Sequence, residues 1–135
     1  MFIEVFSLCD AATVDAAGKL NVLGAFDTIW SAKMPAVYPQ CAIALRLRFE
    51  NIERGEHAIT INFVDLDGKH LIPSANGKIH INFSSEQRSQ SANLVFNLQM
   101  LRIEKPGEYS IDLAVDNRKE VSLPLFIKET NQHQK

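Results

Sequence analysis

After Pro106-Gly107 the chain alternates: Tyr109, Ile111, Leu113 and Val115 are apolar, and Ser110, Asp112, Ala114 and Asp116 between them are small or polar. A period of two is that of a strand, whose successive side chains point to opposite faces. The pattern recurs in Ile43-Leu45-Leu47-Phe49, Ile59-Ile61-Phe63, Ile79-Ile81-Phe83, Leu94-Phe96-Leu98-Met100 and Val121-Leu123-Leu125-Ile127. A chain patterned this way folds into strands with one packed face and one wet face.

Turn signals separate these runs. Phe2 to Cys9 opens the chain as a strand. Residues 10–18 allow two readings. Asp10 could cap a short helix closed by Gly18, or Thr13-Val14-Asp15 could extend the strand and turn at Ala16-Ala17-Gly18-Lys19. The hairpin is favoured, because so short a helix is marginal alone. Leu20 to Trp30 then reads as one long strand with Leu20, Val22, Phe26 and Trp30 on one parity, interrupted at Gly24 by a bulge or a close backbone approach. Met34 to Pro39 reads as a connection, since proline does not serve a central strand. Asp67-Gly68 marks a hairpin with a type I′ turn, and Asn117-Arg118-Lys119 marks another turn.

Eight or nine strands with no long helix predict an all-β fold. The expected form is an antiparallel β-sandwich with immunoglobulin-like connections, and Tyr109 stands where a tyrosine corner would be. With 135 residues, one domain is expected over 1–128, followed by a flexible polar tail over 129–135.

Two segments carry a family resemblance. One runs from Leu8-Cys9-Asp10-Ala11-Ala12-Thr13-Val14-Asp15 through Gly18-Lys19-Leu20-Asn21 to Leu23-Gly24-Ala25-Phe26-Asp27. The other is Asp65-Leu66-Asp67-Gly68 with Pro106-Gly107-Glu108-Tyr109. Together they resemble a family of small bacterial proteins of uncharacterised function. The resemblance implies an all-β, sandwich-like single domain and no particular activity.

The net charge of −2 and the scattered lysines and arginines argue against broad nucleic-acid binding, which needs a basic surface. Cys9 and Cys41 lack metal-ligand spacing and read as small buried hydrophobes. No signal peptide and no membrane-length apolar run is recognised, so a soluble cytoplasmic protein is expected. His57, His70, His80 and His133 show no ligand spacing, and His57 shares the inward parity of Ile59. No nucleophile elbow or phosphate-cradling loop is present.

Asp10, Asp15 and Asp27 are the polar candidates, since paired carboxylates bind hard cations or share a proton. Turn capping is the competing reading. Tyr38, between two prolines, is a candidate ligand-stacking residue. Val95 and Phe126 lie on the parity opposite their strands' core residues and are interface candidates. The expectation is a non-enzymatic binding or assembly module, with a homodimer or a protein partner, no cofactor and no metal. An enzyme using carboxylates near Asp10 and Asp27, or a structural component of a phage-derived or other large assembly, are the alternatives.

Overall fold

The structure, a computed structural model, describes residues 1–130. Nine strands follow one another: β1 (Phe2–Val14), β2 (Leu20–Ala25), β3 (Thr28–Ser31), β4 (Ala36–Glu50), β5 (Gly55–Asp65), β6 (Ala75–Ile81), β7 (Ser89–Ile103), β8 (Gly107–Val115) and β9 (Arg118–Glu129). Among the described residues the helical structure is a single 3-10 turn, Asn51–Glu53, and no helix is long and apolar enough to cross a membrane. The protein is all-β. The polar tail expected over 129–135 lies, from 131 on, outside the described residues, as does His133; Glu129 belongs to β9.

The strands form two sheets, one of four in the order β2-β1-β4-β7 and one of five in the order β3-β9-β8-β5-β6. The alternating runs explain the core between them. Cys41, Ile43, Leu45, Leu47 and Phe49 of β4 point inward from the first sheet. Ile59, Ile61 and Phe63 of β5 and Tyr109, Ile111 and Leu113 of β8 point inward from the second, and all belong to one buried cluster. A buried aliphatic or aromatic side chain of this kind contributes about 1.5–3 kcal/mol.

The β1–β2 and β5–β6 turns share one device, Asp-x-x-Gly-Lys. Asp15 Oδ1 accepts from the Ala17 and Lys19 backbone N–H groups at 3.0 and 2.9 Å. Asp65 Oδ1 accepts from those of Asp67 and Lys69, both at 2.9 Å. Each turn places its glycine in the left-handed region, Gly18 at φ +80 and Gly68 at φ +82. With only the glycine left-handed, the Asp67-Gly68 hairpin is a type I turn with a G1 bulge, not the expected type I′. The turn with two left-handed central residues lies elsewhere, at Asp116 (φ 52) and Asn117 (φ 66) between β8 and β9.

Residues 10–18 form the hairpin. Cys9 pairs with both Ala25 of β2 and Ala42 of β4. Beyond it the hairpin leaves β4 and folds over the outer face of the four-stranded sheet. There Leu20 and Ala12 pack with Val95 on a second small cluster of Cys9, Ala42 and Ala44, and Asn93 Nδ2 of β7 donates to the Gly18 carbonyl at 2.9 Å.

Two expectations are corrected. Leu20 to Trp30 is two strands in different sheets. β2 ends at Ala25, the chain crosses, and β3 joins β9 in parallel. Side-chain parity does not carry through a crossover, so Ile29 is buried and Trp30 is 63% exposed. Tyr38 and Pro39 belong to β4, a central strand. β1 stops pairing with β4 at Ala42, and the register to β7 passes from Tyr38 to Gln40. Pro39 therefore sits where the strand is locally an edge and needs no ladder donor.

Candidate functional site

Asp10, Tyr38, Phe26 and Gly24 meet at the crossover between the two sheets. Tyr38 is half-buried, its ring 5.4 Å from that of Phe26, and its hydroxyl donates to Asp10 Oδ1 at 3.1 Å. Burial first, then Asp10, raises the Tyr38 phenol above its ordinary range, so the hydroxyl keeps its proton and stays a donor. Gly24 lies against this carboxylate at φ +69, where a Cβ would come within 2.6 Å of Asp10 Oδ2. Only glycine combines that φ with that approach.

Asp27 is held differently. Its Oδ1 accepts from the Thr28 hydroxyl at 2.8 Å, and its backbone carbonyl accepts from Phe126 N–H at 2.8 Å. Phe6, Leu8, Phe26 and Leu123 line a shallow hollow of about 170 Å³ beside it. Asp10 and Asp27 share no hydrogen-bond partner. Asp15 is a turn cap, and the Lys19 and Asn21 donors, followed by Ala17, hold its carboxyl below the ordinary range. Among the described residues no three His, Cys, Asp or Glu side chains gather as metal ligands would.

Val95 and Phe126 are half-buried on different sheets, Val95 under the folded hairpin and Phe126 on β9 opposite Thr28. The structure does not bring them together. Trp30 shares the outer face of the second sheet with Phe126, and the Lys128 ammonium sits 5.2 Å from its ring centroid.

Two polar constellations escaped the sequence reading. Glu4 sits at a bulge in β1 and takes Arg46 Nε on one carboxylate oxygen and Arg48 Nε on the other, each at 2.6 Å. The signal was there in two arginines spaced by two on the wet parity of β4. The second centres on His57, stacked 4.5 Å from the Phe49 ring. Its Nδ1 lies 2.7 Å from Asp116 Oδ2 and its Nε2 2.5 Å from the Glu53 carbonyl. Asp116 and the Glu53 carbonyl both accept, so the clamp is complete only when both ring nitrogens carry protons, as in the imidazolium. Burial opposes this charge, but Asp116 and Glu53 outweigh it and raise the His57 pKa. Asp116 also accepts from Ala58 N–H at 3.0 Å, which locks the β8–β9 turn onto β5. No sequence spacing predicts a contact between positions 57 and 116.

A hollow of about 400 Å³ lies between the β5–β6 turn and the end of β7. Asp65, Asp67, Lys69, His70, Arg102 and Tyr109 are among its walls. It mixes both charge signs and presents no base beside a nucleophile. The Cys41 thiol is pushed up to about 11 by burial, so it is inert at neutral pH.

Residues 4–128 match a family described as "Family of unknown function (DUF6941)". No curated protein matches. Among solved structures, a β-glucosidase from Listeria innocua in complex with isofagomine is similar at a TM-score of 0.51 and 9% identity, over 92% of this chain and 16% of that one. An alkylpurine DNA glycosylase, AlkC, from Pseudomonas fluorescens, bound to DNA containing an abasic site analog, is similar at 0.48 and 10% identity, over 94% of this chain and 30% of that one. The chain thus spans less than a third of the length of either protein. At such identities the likeness is one of fold alone.

Proposed function

The chain belongs to this family of unknown function, and we propose from its own geometry that it is a non-enzymatic binding or assembly module that self-associates, built as an immunoglobulin-like sandwich. One observation carries the reading. Asp10, Asp15, Asp27, Glu4 and His57 are engaged in turns and clamps, while Leu23, Trp30 and Met100 stand open at 70%, 63% and 66% exposure. A large apolar side chain left in water away from any cleft is a point of attachment for a partner surface rather than a seat for a small ligand, which takes a concave pocket.

Three features support the sandwich. One buried cluster is shared by both sheets. The chain leaves the edge of one sheet and pairs in parallel with the last strand of the other. The Tyr109 hydroxyl donates to the Lys105 carbonyl at 2.6 Å, four residues upstream at the start of a penultimate strand, as a tyrosine corner does. Two buried cysteines left unbridged suit the reducing cytoplasm of a bacterium. For Asp10 and Asp27, separate partners favour positioning roles over a shared acid–base pair.

Sedimentation equilibrium of the purified chain at micromolar concentration tests the reading. A reversible dimer is expected. A monomer mass throughout the concentration range would refute self-association.

A further inference from the structure

We propose that the β1–β2 hairpin beyond Cys9, residues 11–24, is a hinged flap over the outer face of the four-stranded sheet, which lifts without unfolding the two-sheet core and so uncovers the Cys9 thiol. Such a motion goes beyond self-association and does not require it.

The hairpin is an arm with little to hold it. Among the described residues Ala11 to Val14 pair with β2 alone, since β1 parts from β4 after Cys9. A lone two-stranded hairpin is marginal in water. Every β2 residue after Leu20 is exposed. Ala12 lies opposite Val22 and Val14 opposite Leu20, so the four share one apolar face. That face is only partly seated. Ala12 and Leu20 pack on the floor of Cys9, Ala42 and Ala44, whereas Val14 and Val22 stay 45% and 40% exposed. A hollow of about 310 Å³ separates Gly18, Leu20 and Val22 of the arm from Val5 and Arg46 of the sheet. The tip is tied down by the bond from Asn93 Nδ2 to the Gly18 carbonyl. The root is held more firmly, with Gly24 at φ +69 against Asp10, whose other oxygen takes the Tyr38 hydroxyl. An arm fixed at its root and lightly held at its tip has the geometry of a hinge.

The two cysteines lie on opposite faces of the same sheet. Cys9 pairs with Ala42 and shares its outer face, under the arm, while Cys41 faces the core. Both are 0% exposed and neither is bridged. Burial, then the neighbouring Asp10, raises the Cys9 thiol above its ordinary range, so it is unreactive while the arm is closed. Lifting the arm exposes Cys9, but Cys41 needs the sheets to part. Local opening takes less free energy than global unfolding. The two thiols therefore report two different motions of one molecule.

Alkylation of the native chain with iodoacetamide, each thiol being followed by peptide mass spectrometry, tests the flap. Cys9 is expected to react faster than Cys41 by about tenfold or more. Its rate should stay nearly flat in low urea, because lifting an arm exposes little surface, while the Cys41 rate climbs steeply. Asn93→Asp keeps the acceptor that Arg46 uses and removes the donor to Gly18. It should speed Cys9 by about fivefold with Cys41 unchanged. Leu20→Ala, which removes the arm's apolar contact, should act in the same direction and serves if Asn93→Asp fails to fold. Equal rates with equal urea dependence would overturn the flap. So would a rise shared by both thiols in the variants, or a Cys9 rate that neither variant moves.

Discussion

Replacing Tyr109 by phenylalanine removes one oxygen and leaves the ring in place. The ring faces the core with Ile111, Leu113 and Val115 and is 7% exposed. The hydroxyl bond to Lys105 ties the β7–β8 connection to the start of β8. The net worth of such a bond is about 1 kcal/mol, because the unfolded chain makes the equivalent bonds to water. Lys105 is exposed and lines the hollow beside the β5–β6 turn, so water replaces the lost donor and no buried-acceptor penalty is added. Tyr109→Phe is expected to cost about 1 kcal/mol, roughly a fivefold change in the folding equilibrium. Tyr109→Ala also empties the ring's place in the core and is expected to cost about 3–5 kcal/mol. Urea denaturation followed by far-ultraviolet circular dichroism should show both midpoints lowered in that order, with an unchanged slope. A Tyr109→Ala midpoint equal to that of Tyr109→Phe would refute the core role of the ring. A Tyr109→Phe midpoint equal to wild type would refute the corner.

The His57 clamp makes stability depend on pH. Its folded pKa is raised, so its contribution is whole below the usual imidazole value of about 6.5 and is lost as pH rises through the folded value. His57→Gln should flatten that alkaline-side decline in urea midpoints. Glu4 behaves oppositely, because Arg48 and then Arg46 hold its carboxyl below the ordinary range. Its contribution is present above a carboxylate pKa of about 4 and is lost as pH falls through the lowered value; Glu4→Gln should lower the thermal midpoint at neutral pH and flatten the acid limb. Gly24→Ala should destabilise by about 1–2 kcal/mol through its left-handed backbone alone. It should cost less in an Asp10→Ala background, where the clash with the carboxylate is gone, and a double-mutant cycle measures the difference.

Strand existence was legible in the sequence because it is a local property. Period-two alternation places Ile43, Ile59, Ile111 and Leu125 on buried faces whatever their partners, and all four are buried. The turn role of Asp15 was legible for the same reason, since its donors lie two and four residues on. Tertiary structure decided what depends on which strands become neighbours. Trp30 follows the phase of Phe26 in sequence, but the crossover to another sheet resets the phase and turns it outward. Pro39 reads as a breaker until the early departure of β1 makes its part of a central strand an edge. Glu4 with Arg46 and Arg48, and His57 with Asp116, join positions more than forty residues apart. Such contacts follow from strand order and register, and a periodic pattern of apolar residues is the same for many orders. It determines which face of each strand is buried; packing the two sheets determines which polar side chains meet.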